Sequence, residues 1–112
     1  MNQGDIYWYT FKQPDKRRPV LILTRSSAIS YLTTVTIAPL TTTIRNIPTE
    51  VILTPEDGLQ TACAVNLDNI QTISKSNLGA FITHLPTKKL QDVYQAITFA
   101  LGFDALDQIA SQ

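Results

Sequence analysis

Apolar positions along this chain follow two different periods. Over the first two-thirds they form short runs or alternate with polar residues, as half-buried strands do. Residues 5–11 are aromatic and β-prone, with Tyr7, Trp8, Tyr9 and Phe11, and the charged stretch 12–17 reads as a turn. Residues 18–25 (RPVLILTR) read as a buried strand, and 34–41 (TVTIAPLT) as its partner. Runs at 49–54, 62–67 and 69–73 bring the strands to six, with Pro55–Gly58 as a turn. So many short strands predict a small antiparallel barrel.

Past residue 85 the period changes. Leu90, Val93, Tyr94, Ile97 and Leu101 fall on one stripe of a helix. Pro86 suits its first turn and Gly102 its C-terminal stop. The stripe is expected to pack on the barrel, and 104–109 predict a short second helix. The fold class is thus mainly β (α+β), a small antiparallel barrel with a C-terminal amphipathic helix. One domain is expected over 1–112.

Nine Lys and Arg balance nine Asp and Glu. Their distribution is uneven. Lys12, Lys16, Arg17, Arg18, Arg25 and Arg45 fall in the first 45 residues against only Asp5 and Asp15. A positive mouth on a neutral protein still steers a polyanion. The single cysteine, Cys63, excludes an internal disulfide and reads as a small buried hydrophobe. No basic segment followed by an apolar stretch opens the chain, so no signal peptide is expected. No apolar run approaches the roughly 18 residues of a membrane span. The expected compartment is the cytoplasm.

Pairing 18–25 with 34–41 as a simple hairpin sets Arg18 opposite Thr41, with Cβ atoms roughly 4.5–5.5 Å apart. A fixed cation beside a hydroxyl suits an anionic oxygen such as a phosphate. In an up-and-down order, the loops before the second strand and after the third emerge at the same end. Lys12, Lys16, Arg17, Arg18, Thr41 and Arg45 then gather around one mouth. Tyr7, Tyr9 and Phe11 are the candidates for a face on which unpaired bases stack. The bland alternative is a solvated basic loop beside core aromatics. Other chemistries drop out. The only histidine, His84, lies at the mouth of the helix and reads as structural. The carboxylates are scattered, so no metal site is expected, and no glycine-rich phosphate loop is present.

Gly4-Asp5-Ile6-Tyr7-Trp8, followed by Arg18-Pro19-Val20-Leu21-Ile22-Leu23, resembles the opening of the MazF/PemK toxins of bacterial toxin–antitoxin pairs. Ala38-Pro39-Leu40-Thr41 and Ile47-Pro48-Thr49-Glu50-Val51 resemble that family's third and fourth strands. Asp68–Lys75 and the terminal helix resemble the rest, in order and over nearly the whole chain.

The resemblance implies an SH3-like barrel, a homodimer, and cofactor-free, metal-independent cleavage of single-stranded RNA such as mRNA. It also implies a cognate antitoxin that occludes the RNA groove. Arg18 and Thr41 stand at the positions of the family's catalytic arginine and threonine. Attack by the neighbouring 2′-OH leaves a 2′,3′-cyclic phosphate and a 5′-hydroxyl. Asp68 aligns with an acidic residue proposed as base in some members. The expected RNA-binding set is Lys12, Lys16, Arg17, Thr42, Thr43, Arg45 and Gln71. Two positions depart from the family pattern: Gln71 and Asn66 each stand where members carry arginine. Arg18 stays protonated, so its work is to hold the phosphate, and the groups that move protons stay open. Two other functions stay open as well. One is a poison of a protein target such as DNA gyrase, acting through 103–109. The other is a barrel that binds RNA without cutting it.

Overall fold

The computed structural model describes residues 1–12 and 16–106. Seven strands form, one more than the hydrophobic pattern predicts: β1 (Asp5–Phe11), β2 (Lys16–Ile22), β3 (Thr34–Thr41), β4 (Glu50–Leu53), β5 (Cys63–Asn66), β6 (Gln71–Ser74) and β7 (Leu78–His84). A short helix α1 (Ser26–Ile29) joins β2 to β3, and α2 (Thr87–Ala100) follows β7. The strand order is β4-β5-β3-β2-β1-β7, every pairing is antiparallel, and β6 pairs with β3. The ladder is barrel-like but open, since β4 and β7 end its path. It is not a plain up-and-down order either: β5 lies between β3 and β4.

β3 is the pivot. Its first half pairs with β6 from Thr34 to Ile37, and its last two residues pair with β5. Alternation along β2 and β3 then feeds two cores. Leu21, Ala38 and Leu40 join Val51, Leu53, Val65, Leu85 and the helix residues Val93 and Ala96. Val20, Ile22, Val35 and Ile37 point the other way, to Ile29 and Ile73. An apolar run without alternation is what a strand buried on both faces requires.

Three departures from the sequence pattern have local causes. β2 ends at Ile22, short of residue 25, because the chain turns into α1. Leu23 N–H still donates to Thr36 O at 2.8 Å, and the Thr24 hydroxyl accepts from Thr36 N–H at 2.8 Å. β7 escapes the pattern because Gly79 interrupts its run. A β-carbon at that position would lie 3.2 Å from Trp8 O, so close approach of β1 selects glycine. On α2 the buried line runs through Val93 and Ala96, with Leu90, Ile97 and Ala100 packed beside it. Tyr94 and Leu101, expected on that stripe, are 69% and 55% exposed. The two alanines bring the helix close to the sheet and turn those larger residues outward.

Past Gly102 a short 3-10 turn spans Phe103–Ala105; the expected second helix beyond 106 lies outside the described residues, as does 13–15 of the charged turn. No helix among the described residues is long and apolar enough to cross a membrane.

Candidate active site

The β2–β3 register is the one predicted. Val20 pairs with Pro39, Leu21 with Ala38 and Ile22 with Ile37, which aligns Arg18 with Thr41. The paired ladder stops at Val20, since Pro19 has no N–H to donate. Thr41 instead pairs on its other side with Ala64 of β5, and Arg18 pairs with Tyr9 of β1. Beyond the ladder the two side chains line two neighbouring concavities, about 910 and 420 Å³ in volume. Lys16, Arg18, Thr41 and Thr43 belong to both.

Hydrogen bonding sets the polarity of this shared edge. Thr43 N–H donates to Thr41 Oγ1 at 3.1 Å. With one lone pair of that oxygen taken, the hydroxyl proton remains available as a donor. Arg18 is half-buried and makes no ion pair with a carboxylate among the described residues. A cation and a hydroxyl donor at one edge form a site for an anionic oxygen.

The larger concavity adds Arg17, Thr42, Gln60, Thr61 and two aromatic residues, Trp8 and Phe81. The Arg17 guanidinium lies 4.1 Å from the centre of the Trp8 ring, a cation–π contact. Gly58 borders it at φ 100°, where a β-carbon would fall 2.5 Å from Thr83 Oγ1. Cys63 lies in its wall, nearly buried, and burial, with Asp57 second, pushes its thiol pKa up. The smaller concavity adds Phe11, Arg45, Asn66, Asn69 and Gln71.

Of the residues proposed from sequence, Lys16, Arg17, Arg18, Thr41, Thr42, Thr43, Arg45 and Gln71 line this double groove. Lys12 is exposed but lines neither half. Asp68 lines neither half as well: its Oδ2 accepts from Thr49 Oγ1 at 2.6 Å, and its N–H donates to Asn66 Oδ1 at 3.0 Å. Arg45 is not a free cation. Its N–H and Nε donate to Glu50 at 2.9 and 3.2 Å. His84 is also engaged, with Nδ1 2.7 Å from Oδ1 of the buried Asp5.

The aromatic assignment needs correction for Tyr7 and Tyr9. Tyr7, Tyr9 and Phe11 share one face of β1 and pack on the second core, Tyr9 against Phe11 with ring centres 4.7 Å apart. Only Phe11 of the three borders the groove. Trp8, on the opposite face, borders it as well, and period-two alternation along β1 was the signal for it. Phe81 had no such signal, because β7 itself was not legible. No group of three or more His, Cys, Asp and Glu side chains converges among the described residues.

Comparison with known proteins places this arrangement in context. Residues 2–101 match the family described as "PemK-like, MazF-like toxin of type II toxin-antitoxin system". Endoribonuclease MazF3 of Mycobacterium tuberculosis is 44% identical over 92 residues, which cover 82% of this chain and 89% of that protein. The solved structure of the Mycobacterium tuberculosis toxin MazF-mt6 superposes with a TM-score of 0.81 at 40% identity, covering 88% of this chain and 96% of that one. A mycobacterial endoribonuclease solved in complex with its cognate antitoxin superposes equally well, TM-score 0.81 at 30% identity, over 91% and 95% of the two chains. The groove edged by Arg18 and Thr41 therefore sits on a chain that belongs to the PemK-like, MazF-like toxin family of type II toxin–antitoxin systems.

Proposed function

We propose that this protein is an endoribonuclease toxin that cuts single-stranded RNA at a phosphodiester held between Arg18 and Thr41. The observation that carries the site is their place on the edge common to both concavities. A strand laid along the groove crosses that edge with nucleotides on either side. The activity is supported by relatives named as endoribonucleases.

The chemistry follows from what these side chains do. The 2′-oxygen next to the scissile phosphate forms a bond to phosphorus, and the bond from phosphorus to the 5′-oxygen breaks. The 2′ proton leaves to a base and the 5′-oxygen takes up a proton, so the products are a 2′,3′-cyclic phosphate and a 5′-hydroxyl. Negative charge grows on the non-bridging oxygens at the transition state. Arg18 and the Thr41 hydroxyl are aimed at that charge, and donors of this kind are worth roughly 10²–10³ in rate. No metal enters this scheme. Asp68 lines neither half of the groove and would act as base only if RNA binding brought it to the 2′-hydroxyl.

A cognate antitoxin as partner is supported by the antitoxin-bound relative. A homodimer acting in the cytoplasm completes the reading. The test is to incubate purified protein with long single-stranded RNA in EDTA and map every new end. Discrete cuts bearing 5′-hydroxyls are expected. Intact RNA across varied sequences would overturn the reading and favour a protein target.

A further inference from the structure

The larger concavity has the protein's own core as its floor. Leu40, Leu59 and Cys63 belong to the first core, and Ile82 packs against it. The reason is topological. β4 and β7 end the strand path, and the opening lies between Ile82 of β7 and residues 58–61 of the β4–β5 connection. Trp8 shares a face of β1 with the core residue Ile6 and stands beside this opening. The Arg17 guanidinium lies 4.1 Å from its ring centre. The rim is polar, with Thr42, Gln60 and Thr61 all exposed.

We infer that this opening holds one unstacked nucleobase, that of a nucleotide adjoining the phosphate at Arg18 and Thr41. The inference rests on the endoribonuclease reading and adds to it where the strand is anchored.

The chemistry of the walls selects the occupant. A phosphate or a ribose would lose water over an apolar floor that offers nothing in return. A base has apolar faces and polar edges. Bases of single strands splay out onto aromatic rings and guanidinium planes, and Trp8 with Arg17 supplies both. The edges of the base then meet the hydroxyls of Thr42 and Thr61 and the amide of Gln60 at the rim. Its place in the strand follows from the chain. Leu40 on the floor precedes Thr41, and Arg18 and Thr41 border the same concavity. A volume of about 910 Å³ accommodates one base with water around it. A paired base cannot make this entry, so the same geometry selects single strands.

The experiment starts from a strand selected out of a 2′-deoxy pool for binding, which cannot be cut, and removes one base at a time. Loss of the base that enters should lower affinity roughly five- to a hundredfold, the worth of one base stacked on an aromatic ring. Trp8→Leu should lower affinity for the intact strand by a similar factor and add nothing once that base is gone, since both changes delete the same contact. Thr61→Phe, at an exposed position, should plug the opening and reproduce the loss without touching the core. Trp8 is the only tryptophan, so its emission should change on binding the intact strand and not the strand lacking that base. Equal losses at every position would overturn the inference. So would Trp8→Leu adding its full effect to every base removal, wild-type binding by Thr61→Phe, or Trp8 emission indifferent to RNA. Those results would leave the opening to an apolar side chain of a protein partner. The all-ribose form of the strand tests the underlying reading separately. If it is bound and never cut, the endoribonuclease reading fails, while the base scan still decides the inference; if neither form binds, both fall.

Discussion

Glu50 holds Arg45 twice. Its side chain is fully buried, accepts from the Arg45 N–H at 2.9 Å and from Nε at 3.2 Å, and thereby ties down the loop that follows Thr41. Removing the arginine side chain leaves the buried carboxylate only the main-chain N–H of residue 45, whereas removing the carboxylate frees a half-exposed cation. Arg45→Ala is therefore expected to destabilise more than a surface substitution, by about 1.5–3 kcal/mol for the one lost hydrogen bond to a charged group. Glu50→Gln should cost at least as much, because its amide oxygen keeps one bond while its NH2 turns toward the other donor in a buried site. Urea unfolding of both variants checks the order; equal stability to wild type would mean that the loop does not depend on the pair.

Arg18→Ala and Thr41→Val are expected to lower RNA cleavage by at least about a hundredfold. Thr41→Val also removes the acceptor for Thr43 N–H, at about 1 kcal/mol of stability. Both variants should melt cooperatively. Near wild-type cleavage in both would move the chemistry elsewhere, and loss of folding would make the pair structural.

RNA affinity should fall with salt despite the zero net charge. Lys16, Arg17 and Arg18 line the groove, Lys12 does not, and Arg45 is already compensated by Glu50. Three phosphate contacts give a slope of log K against log salt near about −2.1 for a single strand. Lys16→Ala should flatten it by about 0.7, while Lys12→Ala leaves it unchanged. Titrations at four salt concentrations decide between these; an equal effect of the two lysines would mean that the groove extends to the β1–β2 turn.

Alkaline pH is expected to weaken the fold. Burial, with Asp57 second, raises the Cys63 thiol pKa, and burial, with Asp5 second, raises that of the Tyr7 hydroxyl. A group whose folded pKa lies above its unfolded one contributes stability that is complete below the unfolded value. That stability is lost as pH climbs through the folded value. The midpoint of thermal melting should thus decline from the ordinary thiol range, about 8.5, upward. Cys63→Ala should remove the first part of the decline. At neutral pH the same thiol should alkylate slowly in the folded protein and rapidly in urea, since the thiolate is the reactive form.

Light scattering at micromolar concentration should report about twice the 12.4 kDa of one chain. A monomer that still cuts RNA would remove the dimer from the mechanism.

Local periodicity decided a good part of this protein by itself. The bounds of β1 and β3 follow from the run of β-prone residues, and the β2–β3 register from matching the ends of two strands joined as a simple hairpin. That register made Arg18 beside Thr41 legible, and the arrest of the C-terminal helix was legible from Gly102, which adopts φ 78°. What remained was decided by contacts between distant segments. β7 depends on a glycine tolerated only because β1 lies against it. The helix face depends on which side chains let the sheet approach, so Ala96 is buried where Tyr94 is not. Arg45 and Asp68 read as free charges in sequence, yet Glu50 and Thr49 engage them. Period reports which face of an element is buried. It carries no record of what the other face meets, and that is set only when the whole chain has closed around its cores.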